Sequence, residues 1–299
     1  MHRWGTAFLL VVLAFGSNWQ TFADESLFGY SYGSDTLPDG QREWATWVTH
    51  RWDKGIGSYN ATDLVIEFEY GVTDRLTVAA YLQGLRLKAR DAFAPDRDGN
   101  DVYPREVDIT KLAVYKGSLK YNFLSPYKHK LGLSFVWELF YTRWFPKVDG
   151  ARTEQYSFEP KLILQKNFLD DTLVLIYNLA LESEWRKFPE DNAFENEFSI
   201  TNSTGVSWRF KPKWFVGFEA RHHQDILNGE KNHSDVFVGP NLHVGTKGWY
   251  LTITYLRQIH GNPTWSGYDV DLNEFPNDGY HFEEDTKHEF RFKFGWNLG

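Results

Sequence analysis

The stretch Lys287–Leu298 reads KHEFRFKFGWNL. Phe290, Phe292, Phe294, Trp296 and Leu298 fall on one face of an extended chain; Glu289, Arg291, Lys293, Gly295 and Asn297 fall on the other. A helix would scatter both sets around its axis, whereas a strand separates them completely. The same test sorts other segments. Leu64, Ile66, Phe68 and Tyr70 oppose Asp63, Glu67 and Glu69, and Leu131, Leu133, Phe135, Trp137, Leu139 and Tyr141 oppose Gly132, Ser134 and Glu138. Leu173, Leu175, Tyr177, Leu179 and Leu181 oppose Asn178, Glu182 and Glu184. Trp249, Leu251, Ile253 and Tyr255 oppose Thr252, Thr254 and Gln258.

Carried along the chain, period two gives twelve candidate strands, near 42–53, 62–71, 75–90, 108–123, 130–145, 154–168, 172–188, 194–210, 213–225, 234–244, 249–260 and 286–298. Most reach the ~9–11 tilted residues that cross a bilayer, where soluble strands average about 5–6. An even number suits a bacterial barrel. In the first strand Trp44, Thr46, Val48 and Trp52 compete with Ala45, Trp47 and Thr49 for the apolar face. In the third the pattern slips after Gly84, marking a bulge or a membrane boundary. The connections alternate in length. Short ones (71–74, 124–129, 169–171, 211–212, 245–248) take turns with 54–61, 91–107, 146–153, 189–193, 226–233 and 261–285. Short periplasmic turns and longer outer loops have that pattern. The expected fold is an all-β transmembrane antiparallel up-and-down barrel of about twelve strands.

Composition agrees. Of 299 residues 18% are aromatic, with 13 Trp, 16 Tyr and 24 Phe, and there is no Cys. No disulfide, thiolate nucleophile or Cys-ligated metal is available. The net charge of −8 argues against nucleic acid as a partner, since phosphate binding needs a basic surface. A low mean hydropathy excludes helical membrane proteins only, because a barrel wall alternates polar and apolar residues.

Residues 1–23 read as a secretory signal peptide. His2 and Arg3 precede the apolar run Gly5–Gly16, and Thr21-Phe22-Ala23 offers small residues for cleavage before Asp24. The run is shorter than the ~20 residues of a membrane anchor. Residues 24–41 are expected as an N-terminal periplasmic segment, with a plug of the lumen as the alternative, and 42–299 as the barrel. The bland alternative is a soluble β-sandwich with the aromatics as core. Strand length, signal peptide and aromatic belts weigh against it.

The stretch Glu25-Ser-Leu-Phe-Gly-Tyr30, then Asp35-Thr-Leu-Pro-Asp-Gly40, then Glu67-Phe-Glu-Tyr-Gly-Val-Thr-Asp-Arg75 with Leu76, resembles an uncharacterised family of proteobacterial outer-membrane β-barrel proteins, loosely transporter-like. The specific similarity covers roughly residues 25–90. The Tyr-Gly-Val-Thr-Asp-Arg turn marks the class of such barrels rather than the family. The resemblance implies a Gram-negative outer-membrane location and a porin-like transport role, and supplies no catalytic residue. Many such barrels finish on an aromatic; this chain finishes Trp296-Asn-Leu-Gly299.

If the apolar face meets lipid, the other face lines the lumen. Its candidates are Glu67, Glu69, Lys116, Lys120, Glu138, Glu159, Lys161, Glu182, Glu184, Arg186, Glu195, Glu197, Arg209, Glu219, Arg221, His223, His243, Glu289, Arg291 and Lys293. A charged channel orienting a small polar solute is one reading. Ion pairs filling a narrow interior, such as Glu159 with Lys161 and Arg291 with Glu289, are the other. Interface aromatics, amphipathic at the headgroup level, are expected at Trp44, Trp52, Trp144, Trp185, Trp208, Trp214, Trp249 and Trp296.

The connection 261–285 carries acidic residues and interleaved aromatics but no Lys or Arg, suiting a constriction, a cation-binding loop or a solvated loop. Asp96–Asp101 lacks the EF-hand register and reads as a polar turn. The nearest hydrolase ingredients are His222-His223 with Asp225, and Asn202-Ser203-Thr204. They need a large stagger to meet, and no Gly-x-Ser-x-Gly elbow is present. Metal ligation by His222, His223 and His233 has no supporting spacing.

The expectation is a non-enzymatic monomer without cofactor or metal. Its partners would be outer-membrane lipid and lipopolysaccharide, the barrel-assembly machinery and a small polar solute. A non-conducting structural, adhesion or assembly barrel is the alternative, with a lipid hydrolase third.

Overall fold

The structure is a computed structural model describing residues 27–93, 106–146, 150–189, 194–227, 230–262, 279–282 and 284–299. The signal-peptide stretch 1–23, the turn 96–101 and much of the acidic connection 261–285 lie outside them. The strands are β1 (Arg42–Trp52), β2 (Ile56–Thr73), β3 (Leu76–Phe93), β4 (Val107–Leu124), β5 (Gly132–Trp144), β6 (Arg152–Phe168), β7 (Leu173–Lys187), β8 (Phe194–Lys211), β9 (Trp214–Leu227), β10 (Glu230–Gly245), β11 (Trp249–Asn262) and β12 (His288–Asn297). Each pairs with its chain neighbours, and β1 pairs with β12 to close the ring. All the pairs are antiparallel, as at the seam, where Trp44 faces Trp296 and Val48 faces Phe292. Closure leaves no strand edge unpaired.

The wall is inside-out relative to a water-soluble barrel. Leu139 is 63% exposed, while its neighbour Glu138 is 1% exposed. Leu64, Ile66, Phe68, Phe218, Phe290 and Phe292 are exposed; Glu67, Lys120, Lys161, Glu219 and Glu289 are buried. Water would punish that arrangement, and hydrocarbon rewards it. β1 shows which of its competing sets wins: Trp44 and Val48 are exposed, and Ala45 and Thr49 are buried.

Beyond Gly84 the polarity reverses. The β3–β4 register shifts between Gln83 and Gly84, the signature of a bulge. Past it Leu85, Leu87 and Ala89 are buried, and Arg86, Lys88 and Arg90 alternate with them. Arg86 pairs with Asp108 of β4. These inner residues pack with Tyr59, Ala61, Ala113, Val114, Phe145 and Phe282 into an apolar cluster at the end of the barrel where β3 meets β4. That end of the wall is built for water. The cluster also explains why β2 starts at Ile56, several residues before the expected 62: Tyr59 and Ala61 carry the alternation upstream.

The connection expected over 226–233 is shorter than its composition suggested. β9 runs to Leu227 and β10 resumes at Glu230. The Asn228-Gly229 dipeptide between them is a strong hairpin signal.

Residues 27–37 correct a larger expectation. They do not lie outside the barrel as a periplasmic segment but run within it. Gly40 and Gln41 lead into β1 beside the β2–β3 turn, where Gly40 donates to the Gly71 carbonyl at 2.9 Å. Upstream the chain crosses the lumen. Leu27 and Phe28 end against Val174 and Ile176 of β7. The lumen supplies donors and acceptors that the backbone of an extended segment would otherwise lack.

Candidate functional site

The inner segment is held mainly by polar side chains of the wall. Gly29, Tyr30 and Ser31 donate their backbone N–H groups to the Glu219 carboxylate at 2.8, 3.0 and 2.9 Å. Glu219 also accepts from Asn241 and Thr254, both at 3.1 Å. Tyr32 donates to Asn178 Oδ1 at 2.6 Å and its carbonyl accepts from Asn178 Nδ2 at 2.9 Å. Ser34 donates to Gln165 at 2.7 Å. Its carbonyl accepts from Asn122 at 2.6 Å and from the Ser134 hydroxyl. Lys120 Nζ donates to the Gly33 carbonyl at 2.7 Å, and Arg291 Nη1 to that of Gly29 at 2.8 Å. The Arg291 guanidinium also sits 3.9 Å from the centre of the Tyr30 ring. Burial, with Glu289 nearby, holds the Tyr30 hydroxyl well above the usual phenol range, so it stays neutral.

Two wall glycines make room for the segment. A Cβ on Gly205 would stand 2.5 Å from the Phe28 ring, and one on Gly132 would overlap Ser34 Oγ. The niche at Gly205 takes Phe28, which forms the apolar anchor together with Leu27; most of the remaining contact is hydrogen bonding.

Beside the segment lies a chamber of about 240 Å³, lined among others by Tyr32, Trp47, Asp63, Tyr81, Gln83 and Phe140. Its charges form a chain. Glu138 takes Lys116 at 2.8 Å on one oxygen and Lys161 at 3.2 Å on the other, and Lys161 reaches Glu159 at 3.0 Å. Lys116 also lies 3.8 Å from the Tyr81 ring centre, and Lys161 lies 4.1 Å from that of Tyr32. Three strands and the inner segment meet here, because the register sets Lys116 of β4 beside Phe140 of β5, two residues from Glu138, and pairs Glu138 directly with Glu159 of β6.

The other charged candidates occupy the same inner face. Glu67, Glu69 and Lys293 line a small hollow with Glu43 against residues 28–32. Arg186 binds Glu184 at 2.7 Å, Glu195 at 3.3 Å and Glu197 at 3.6 Å. Glu182 alternates with Glu184 on β7 and is half-buried. His243 is buried with its Nδ1 2.7 Å from Thr252 Oγ1. Arg209 reaches the Asp170 carbonyl at 3.3 Å. The expected Arg291–Glu289 pair is replaced: Glu289 takes the fork of Arg221, at 3.0 and 3.2 Å, and Arg291 turns to the segment. Strand neighbours two apart point the same way, but a bidentate fork reached from across the lumen is the stronger acceptor match.

Among the tryptophans, Trp44, Trp185, Trp208, Trp214, Trp249 and Trp296 are exposed. Trp44 and Trp249 both face Trp296 across strand pairs, forming part of a belt at the short-connection end. Trp52 is half-buried, stacked on His50 and His288. Trp144 departs from the belt: it packs against the inner apolar cluster, with Lys111 over its ring.

The residues weighed for hydrolysis do meet, without the expected stagger: Asn202 pairs with His222 and Ser203 with Arg221. The hydroxyl on His223 is that of Thr201, at 2.7 Å from Nδ1, rather than that of Ser203. Selection by charge passed over Asn122, Gln165 and Asn178, uncharged residues of the inner face that hold the segment. Their place in the alternation was the available signal.

A closed antiparallel twelve-strand ring with an apolar exterior and a polar interior defines an outer-membrane type of β-barrel. The chain belongs to DUF6662, a family of unknown function, which it matches over residues 20–298. No curated protein matches it in sequence. In structure it is similar to the COG4313 outer membrane channel from Pseudomonas putida F1, with a TM-score of 0.57 at 11% identity over 89% of this chain and 98% of that one. It also matches the beta domain of the Bordetella autotransporter BrkA, with a TM-score of 0.49 at 12% identity over 86% and 99% of the two chains. LpxR from Salmonella typhimurium gives 0.47 at 7% identity over 85% and 99%. At 11% identity the likeness to the channel shows the fold alone.

Proposed function

We propose that the chain is an outer-membrane channel for a small polar solute, gated from within by residues 27–37. The observation that carries this reading is the chemistry of the inner segment's contacts. Apart from Leu27, Phe28 and the Tyr30 and Tyr32 rings, which lie against Arg291 and Lys161, the segment is held by hydrogen bonds, most of them to polar side chains. Water and a polar solute can replace such bonds, each worth a net ~0.5–1.5 kcal/mol. An apolar plug has no such exchange available. Both charge signs line the adjoining chamber, which suits a solute with several hydrogen-bonding groups.

The reading places the short connections and residues 38–41 in the periplasm, with export by a cleaved signal peptide over 1–23. Lipid and lipopolysaccharide surround the apolar wall, the barrel-assembly machinery inserts it, and the protein works as a monomer. The channel named among the similar structures agrees with this role. Catalysis is not part of the proposal.

The test is conductance in planar bilayers of the folded full chain and of a variant lacking residues 27–36. The expected result is rare, brief openings for the full chain and steady steps for the deletion. A deletion variant that folds and inserts yet stays silent would assign the barrel a non-conducting role.

A further inference from the structure

A second polar group lies away from the chamber, where β8, β9 and β10 approach the β11–β12 connection. Asp225, His233 and Asp235 are fully buried and His281 nearly so. His223 and Asp225 are two apart on β9, so both project from its inner face; His233 comes from β10. Nε2 of His223 lies 2.8 Å from Oδ1 of Asp225, and Nε2 of His233 lies 3.0 Å from Oδ2 of the same carboxylate. Two imidazoles on different strands therefore aim the same nitrogen at one acid.

Both Nε2 atoms are shut off from solvent, and the polar atoms they face are the two oxygens of the Asp225 carboxylate. The rings are fixed. His223 is held through Nδ1 by Thr201 Oγ1 at 2.7 Å, and His233 stacks on His281 with 4.3 Å between ring centres. Clamping the far ring nitrogen with a polar group is how proteins orient a metal-binding histidine. More carboxylates stand close by: Asp285 Oδ2 is 3.9 Å from His233 Nε2, and oxygens of Glu197, Asp225 and Glu284 lie within 4.8 Å of one another.

We infer that His223, Asp225 and His233 bind a divalent transition-metal ion of the zinc class, with a carboxylate of Glu197, Glu284 or Asp285 completing the set. Donors around a tetrahedral zinc stand about 3.3 Å apart at bond lengths of ~2.0 Å. The 2.8 and 3.0 Å spacings run to the two different oxygens of Asp225, and one ligand atom from each of His223, Asp225 and His233 lies within 4.8 Å of the others, so a shared ion would draw the two imidazoles toward one carboxylate. Paired imidazoles favour zinc, copper, iron or nickel over calcium and magnesium, which take oxygen donors. The ion would neutralise buried carboxylates and tie β9 and β10 to residues 284–285 after β11. The competing arrangement is a protonated imidazole paired with the same acids, and it binds no metal.

The test uses the folded full chain, free of any affinity tag, stripped with a chelator and dialysed against Zn²⁺, Co²⁺ or Ca²⁺ alone. One zinc per chain is expected by elemental analysis, with no calcium retained. The cobalt form should show the intense visible bands of a four- or five-coordinate ion. The paired substitution His223→Gln with His233→Gln should weaken zinc binding at least about 100-fold, and Thr201→Val about 10- to 100-fold. His222→Ala, on the opposite face of β9, should leave it unchanged. A folded wild-type chain that retains no zinc would overturn the assignment, as would a cobalt spectrum of weak six-coordinate type. Equal zinc content in the double variant would do the same. The cobalt spectrum needs no variant, so the test survives a substitution that fails to fold.

Discussion

Glu219 of β9 accepts the backbone N–H of Gly29 at 2.8 Å across 190 residues of sequence. The same carboxylate takes Tyr30 and Ser31, and Asn241 of β10 and Thr254 of β11 fix it from one side of the wall. Replacing Glu219 with Ala removes an acceptor shared by three main-chain donors. Bonds to a charged group are worth ~1.5–3 kcal/mol each, and water recovers part of that in an open lumen. A net shift of roughly 1.5–3 kcal/mol is expected. It would raise open probability in planar bilayers about 10- to 100-fold. Unchanged gating would remove Glu219 from the latch.

The Phe28 niche gives a steric version of the same experiment. Gly205→Leu places side-chain atoms where the Phe28 ring now sits, within 2.5 Å of even a Cβ. The segment should be expelled while the barrel still forms. Residues 27–37 would then become sensitive to protease added on the short-connection side of proteoliposomes. Phe28→Ala should act in the same direction at a cost of roughly 3–5 kcal/mol of segment docking. Protection equal to wild type in both variants would contradict the niche.

Ion preference should follow the Glu138 chain. Glu138 bridges Lys116 and Lys161, so Glu138→Gln leaves two ammonium groups facing the chamber. In a chain lacking residues 27–36 that substitution should move the reversal potential under a KCl gradient toward chloride selectivity. Lys161→Gln should move it toward potassium. Identical potentials for the two would place the conducting path elsewhere.

The orientation of the wall is open to a direct energetic test. Leu139 is the most exposed large hydrophobic residue among the described strand positions, and Glu138 beside it is buried. Leu139→Arg puts a charge into hydrocarbon, at about 2–4 kcal/mol near the midplane and less toward the headgroups. The folded fraction in a urea titration in lipid vesicles should fall accordingly. Arg in place of Leu87, on the inner face of the apolar cluster, should instead be costly in detergent and in lipid alike. Equal tolerance of Leu139→Arg in lipid and detergent would argue against a lipid-facing position.

The strands were legible because side-chain alternation is a local property, and each barrel strand buries one face along its length. The wall's direction was less accessible: period two assigns two faces without saying which meets solvent, so strand length, the aromatic belts and the signal peptide had to supply the direction that Leu139 outside and Glu138 within display. The inner segment was hidden for a different reason. Ser34, Gly33 and Tyr32 carry no periodicity, and their partners Gln165, Lys120 and Asn178 lie more than eighty residues away, with separations of 131, 87 and 146. The convergence of His223 and His233 was masked in the same way, since their spacing in sequence matches no ligand motif and the antiparallel pairing of β9 with β10 brings them together.

The reach of those contacts bears on how the molecule comes to exist. Residues 27–37 bond to β3, β4, β5, β6, β7, β9, β10 and β12, so most of their partners assemble only as the ring nears closure. The first part of this region to leave the ribosome is among the last to find its place. Such long-range pairing slows folding. It also means that the full set of partners for the leading stretch of polypeptide exists only once the β1–β12 seam is zipped, and that a later departure or return must pass through an open end of the circle.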